Sequence, residues 1–260
     1  SSGATMNATN VTTFVSTSGS SNAGTATLTA ANAGGTINVS SATGSGSYTL
    51  IGGAGSDQLT GSSQNDTFQI ESSGAGNGDS IDGGAGTDTL KLSTGTHNLT
   101  NEALLSNIEI IETNASGSTI VLTGQSENYT IKGGAGSDTI TGGSGADIII
   151  ILNSTEGNSD TLTGGTGSDT INLSTGNHSF TTDGNLNTIE IITAHSSGST
   201  LVLTGQTEGF TLTGGAGADN FTGGNAADII TGSGGNDIIS GGGGNDVITG
   251  GADNDSFTGG

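Results

Sequence analysis

The chain has 260 residues, among them 51 glycines, no proline and no cysteine, and sets 24 acidic residues against two lysines for a formal net charge of −22. That balance excludes nucleic acid, whose phosphates must be met by Lys and Arg, and it excludes docking on an acidic membrane surface. Disulfides are impossible, no apolar run is long enough to span a bilayer, and a hydrophobic share of 29% is too small for a conventional thick core.

Residues 1–51 are rich in Ser and Thr and hold sparse strand-like runs at 26–28, 37–39 and 48–51. From Gly52 onward the chain repeats. Gly-Gly-Ala-Gly-Ser-Asp begins at Gly52 and Gly133, and Gly-Gly-Ala-Gly-Ala-Asp begins at Gly214, each 81 residues after the last. The register holds between these marks, where residues 91–95 answer 172–176 and residues 118–125 answer 199–206. The chain therefore divides into the tail of a preceding module (1–51), two full modules (52–132 and 133–213) and a C-terminal block (214–260). With no initiator Met and a repeat just beginning at Gly260, it reads as an excerpt of a longer protein.

A nine-residue unit is nested inside, starting at residues 52, 61, 74 and 83, at 133, 142, 155 and 164, and at 214, 223, 232, 241 and 250. Its sixth position is always Asp: Asp57, Asp66, Asp79, Asp88, Asp138, Asp147, Asp160, Asp169, Asp219, Asp228, Asp237, Asp246 and Asp255. Its eighth is always a large apolar residue, from Leu59 and Phe68 to Ile248 and Phe257. Gly at positions one, two and four permits left-handed backbone and tight turns. Positions six to nine make a strand too short to stand alone, so units must stack, two to a coil, with the eighth side chains filling the space between two parallel sheets. Stacking sets Asp above Asp about 4.8 Å apart, and carboxylates at that range repel. A hard cation resolves the conflict. Ca²⁺ takes six to eight oxygens from carboxylates and backbone carbonyls, Mg²⁺ is less suited, and with no Cys and three scattered His a zinc site is not expected.

The pattern Gly-Gly-x-Gly-x-Asp-x-apolar-x resembles the calcium-binding nonapeptide of the RTX family of secreted bacterial proteins. The resemblance implies an all-β, right-handed parallel β-solenoid in which β-roll blocks (52–91, 133–172 and 214–260) are joined by calcium-free solenoid turns. It also implies that the thirteen Asp are the metal ligands, with about seven interior Ca²⁺. Further implications are export by type I secretion as an unfolded chain and folding in extracellular calcium.

Four extra residues, 70–73 and 151–154, interrupt two of the blocks and put continuity of the ion rows in question. Segments 92–132 and 173–213 read as solenoid without calcium, with strand-like runs at 108–112, 119–123 and 129–132 and a single helical turn at 102–105. Tyr48, Tyr129 and Phe210 occupy the Asp position ahead of each block, where an aromatic can cap a row by packing over it. At 18 residues per coil the chain would make about fourteen coils. His97 and His178 are expected in surface loops, Glu109 and Glu190 on a solvated strand face.

No catalytic motif is present, so catalysis is not expected. The expected role is a calcium-dependent structural repeat region of a secreted surface protein, of surface-layer or extracellular filament type. Its expected partners are calcium ions together with copies of itself or other cell-surface components, without membrane insertion. A stalk or ligand-binding repeat of an RTX adhesin, and the calcium-binding tail of a secreted protease or lipase, are the alternatives.

Overall fold

The computed structural model describes residues 6–70, 78–113, 116–152 and 159–260. Most of the two four-residue insertions lies outside them, as do Asn77 and Asn158, read above as turn residues. The chain is an all-β parallel β-solenoid of about 11 turns. It divides into two compact units, one of residues 1–114 and 118–130, the other of 115–117 and 131–260.

In the first unit one parallel sheet stacks Met6–Val11, Ala26–Ala30, Tyr48–Gly52, Thr67–Ile70, Thr89–Leu92 and Ile110–Glu112. A second stacks Thr13–Val15, Thr36–Asn38, Gln58–Thr60, Ser80–Asp82 and Leu105–Ser106. In the second unit the matching long sheet runs Ile148–Ile151, Thr170–Leu173, Ile191–Thr193, Thr211–Thr213, Ile229–Ser233 and Val247–Gly251. Strands of two to six residues suffice because each finds a parallel neighbour made by the same few residue types. Burial alternates along most strands, and the eighth residue of the nonamer points inward: Leu59, Phe68, Ile81, Leu90, Ile140, Ile149, Leu162, Ile171, Phe221, Ile230 and Ile239 are all buried. Phe257, at the last coil, is 53% exposed.

The coils are not uniform, and this corrects the count of fourteen. Ile148 pairs with Thr170, Thr170 with Ile191, Ile191 with Thr211 and Thr211 with Ile229, steps of 22, 21, 20 and 18 residues. One 81-residue module is therefore four coils. The 22-residue step absorbs the four extra residues without breaking register: Phe68 still faces Leu90, and Ile149 still faces Ile171.

The 21-residue step holds the main departure from a plain roll. Between Thr89–Leu92 and Ile110–Glu112 the chain places two short strands, Gly95–Asn98 and Leu105–Ser106, around a 3-10 turn at Glu102–Leu104. Leu105–Ser106 closes the old second sheet against Ser80–Asp82, while Gly95–Asn98 opens a new one against Ser118–Val121. In the second unit Leu186–Asn187 likewise closes on Thr161–Thr163, and Gly176–Ser179 opens against Ser199–Val202, around a turn at Asp183–Asn185. This handover buries the two histidines, correcting their expected place in surface loops. His97 and His178 are 0% and 1% exposed, opposite Ile120 and Leu201. Their Nε2 atoms lie 2.9 and 3.0 Å from the carbonyl oxygens of Ser93 and Ser174, and their Nδ1 atoms have no partner. Two buried glutamines staple the bend: Gln125 Nε2 donates to the Leu99 carbonyl and Gln206 Nε2 to the Phe180 carbonyl.

Candidate metal centre

In the described turns each nonamer bends through its glycines and delivers its Asp to the start of the strand. Eleven of the thirteen predicted ligands, from Asp57 to Asp237, are at most 2% exposed. Asp246 and Asp255 are half-buried, at the last two coils. Burying a carboxylate is costly unless it is bonded or paired, and here the first partner is backbone. The Oδ1 of each Asp accepts the backbone N–H of the residue at the same position one coil earlier: Asp57 N donates to Asp79 (2.8 Å), Asp66 to Asp88 (2.6 Å), Asp138 to Asp160 (2.9 Å) and Asp147 to Asp169 (2.8 Å). The same step joins Asp219 to Asp237, Asp228 to Asp246 and Asp237 to Asp255. The rows thus run unbroken across both four-residue insertions.

The second oxygen, Oδ2, turns back to its own unit and accepts the N–H of position two, as in Gly53 to Asp57, Ser62 to Asp66, Gly215 to Asp219 and Gly224 to Asp228. At Asp79, Asp88, Asp169 and Asp237 this bond is missing, and a fully buried Oδ2 is left without a partner. The aromatic caps close the first coil of a row. Tyr48 and Phe210 are buried and donate their backbone N–H to Asp66 and Asp228.

The glycine at position one is required for space, not for a left-handed backbone, which falls instead at positions two and four (Gly84, Gly86, Gly165, Gly167). A methyl group at Gly61 would strike the Gly83 carbonyl oxygen and lie 3.0 Å from Asp66 Oδ2. At Gly142, Gly214 and Gly223 it would strike the carbonyl oxygen of the next coil's first residue, with the unit's own Asp Oδ2 at 2.5–2.6 Å. Position one is thus a small cradle bordered by one carboxylate oxygen and one carbonyl oxygen, in a row of like charges. The donors are oxygens throughout, the combination a hard divalent cation such as Ca²⁺ takes. Among the described residues no three His, Cys, Asp or Glu side chains converge on one point. Each candidate site must therefore draw on two carboxylates at most and complete its shell from backbone.

Comparison with known proteins agrees. The model of the RTX calcium-binding nonapeptide repeat (4 copies) matches residues 43–68, 73–95, 123–150, 154–177, 211–239 and 231–260, more than half of the chain. The chain belongs to the RTX calcium-binding repeat family. It is a calcium-binding repeat region of a secreted protein. No curated protein and no solved structure matches the RTX chain. Among the described residues no helix is long and apolar enough to cross a membrane.

Two carboxylates outside the nine-residue pattern also meet the rows. Glu109 and Glu190, expected on a solvated strand face, are half-buried and exposed respectively, and each accepts a backbone N–H of a row: Glu109 Oε2 that of Asp88 at 2.7 Å, and Glu190 Oε2 that of Asp169 at 2.8 Å. The signal available was their 81-residue spacing and their place just before the strand.

Burial outweighs the backbone bonds in the energetics of the carboxyls. Desolvation, with repulsion from Asp57, raises Asp79 to about 6 despite the bond from the Asp57 N–H. Desolvation, with repulsion from Asp66, Glu109 and Asp82, raises Asp88 to about 7. Burial also raises Asp169, Asp219 and Asp228. A raised folded-state value gives stability that is fully present below the ordinary carboxyl range and is lost as pH rises through the folded value. Burial lowers His178, which acts oppositely and removes stability as pH falls through the ordinary imidazole range. Five carboxyls stand against this one group. Without calcium, more of the β circular dichroism is therefore expected to survive at pH 4.5 than at pH 7.5, and a calcium-free β signal that grows with pH would contradict this balance.

Proposed function

We propose that this region is a calcium-locked structural element of a bacterial surface protein, of surface-layer or extracellular filament type, which folds on Ca²⁺ after export. The observation that carries the reading is the buried carboxylate row that each block sets under its sheets. Buried negative charge of this density far outnumbers the two lysines of the chain and calls for cations supplied outside the cell. Seven pairs of nonamer carboxylates one coil apart define the interior sites: Asp57–Asp79, Asp66–Asp88, Asp138–Asp160, Asp147–Asp169, Asp219–Asp237, Asp228–Asp246 and Asp237–Asp255. The side chains do no chemistry on a substrate; they hold cations, and the cations hold the coils. Modular repetition with outward faces of regular spacing suits association with further copies or with other cell-surface components.

A second reading, a ligand-binding repeat of an adhesin, is favoured by one specific feature. Thr193, Thr213, Thr231 and Thr249 pair in register down one outward face, beside Ile191, Thr211, Ile229 and Val247. The two readings separate on assembly. Negative-stain microscopy and sedimentation of the calcium-loaded chain are expected to show ordered self-association that chelator reverses. A strictly monomeric calcium-loaded chain would remove the first reading and leave the second.

A further inference from the structure

In each of the two 81-residue modules the carboxylate row on the long sheet continues one coil beyond its last nonamer, and the continuation is built differently. In the strands, Ser106 pairs with Asp82 and Ile110 with Thr89, so Asn107 stands opposite Gly83 and Glu109 opposite Asp88. The six-residue nonamer turn Gly83–Asp88 is replaced by three residues, Asn107, Ile108 and Glu109, with Asn107 in left-handed backbone (φ 53°). The extra methylene of Glu compensates for the shorter turn and returns a carboxylate to the row. The second module repeats this with Thr188 (φ 49°), Ile189 and Glu190.

The cradle at these coils is open on the acid side. A methyl at Gly83 would strike the Asn107 carbonyl oxygen and lie 2.7 Å from Asp88 Oδ2; one at Gly164 would strike both the Thr188 carbonyl oxygen and Asp169 Oδ2. Asp88 and Asp169 are each 0% exposed, and in both the Oδ2 has no partner. The position-two N–H that elsewhere satisfies it is drawn away, from Gly84 to Asp82 Oδ1 (3.2 Å) and from Gly165 to the Thr188 hydroxyl (2.8 Å). Two modules thus leave the same oxygen exposed to the same cradle by different means.

We infer that each module holds one calcium site outside the nonapeptide pattern, formed by Asp88, Glu109 and the Asn107 carbonyl in the first and by Asp169, Glu190 and the Thr188 carbonyl in the second. The inference rests on the reading of the rows as calcium sites and adds two ions to the seven assigned above. The Glu carboxylate both fastens the N–H of the last Asp and contributes the second negative charge that makes a divalent cation, rather than a proton or a monovalent ion, the matching occupant.

Equilibrium dialysis of the full chain against Ca²⁺, with metal counted by atomic emission, tests it. Nine ions per chain are expected at saturation; a parent chain that saturates at seven overturns the inference. The double variant Glu109→Gln/Glu190→Gln keeps an acceptor for the Asp88 and Asp169 N–H groups. It is expected to bind two fewer ions than the parent while retaining its β circular dichroism in calcium, and each single variant one fewer. Unchanged stoichiometry in the variants overturns the inference. A parent that binds no calcium at all brings down the underlying reading instead, so the two failures are distinct. Should the variants lose their β spectrum in calcium, the parent count of nine or seven decides alone.

Discussion

Removing calcium at neutral pH is expected to abolish the β circular dichroism of this chain, and restoring it at millimolar concentration to bring the spectrum back. Extracellular calcium sites bind at roughly 10⁻⁴–10⁻³ M. At a tenfold excess over Kd, each ion bound only by the folded state adds about 1.4 kcal/mol. The seven sites proposed above would contribute on the order of 10 kcal/mol, which is comparable to the entire stability of an ordinary domain. The apolar core is thin, with one to three inward side chains from most strands. Without the ions, the buried carboxylates must either take up protons, as the raised values of Asp79 and Asp88 indicate, or stay charged and repel. Magnesium, which demands octahedral geometry and keeps its waters, should substitute poorly. A spectrum indifferent to chelator would show that the backbone bonds alone hold the carboxylates and that the cation reading is wrong.

Replacing Gly223 by Ala should be nearly as damaging, although it adds a single carbon. That carbon would fall on the Gly241 carbonyl oxygen and lie 2.5 Å from Asp228 Oδ2. Neither neighbour can yield. The carbonyl belongs to the next coil's backbone, and the carboxylate is tied to the N–H groups of Phe210 and Gly224. The expected cost is about 3 kcal/mol or more, together with the loss of an ion from the count. Gly184→Ala is the matched control: nothing lies within 4 Å of its Cβ direction, and a change within about 0.5 kcal/mol is expected. Thermal melts in calcium compare the two. Equal effects would mean that position one is not a cradle.

What the sequence discloses here is whatever repeats. The nine-residue period locates the inward apolar residues and the carboxylate rows, because each unit solves the same packing problem with the same residue types. The helical turn at Glu102–Leu104 and the strands at Ile110–Glu112 and Thr130–Lys132 were legible for the same reason. The number of coils was not, because an insertion lengthens a coil through its turn without disturbing the strands that are counted. The histidines misled because a polar residue inside an apolar row carries no sign of burial until its carbonyl partner is known. Glu109 and Glu190 were hidden by their shortened turn, which removes the glycines that announce every other ligand.

The handover of the second sheet has a mechanical meaning. Under it a carboxylate row comes to an end: in the second unit the sheet over Asp138 and Asp160 closes at Leu186–Asn187, and the row of Asp219, Asp237 and Asp255 begins afresh where the Ser199 N–H meets Asp219. An ion lost from one block therefore cannot unfasten its neighbours, as it would along one uninterrupted column. Within the second unit, damage in the block at 133–172 stops before the block at 214–260. The blocks are expected to unfasten in separate steps as calcium is withdrawn.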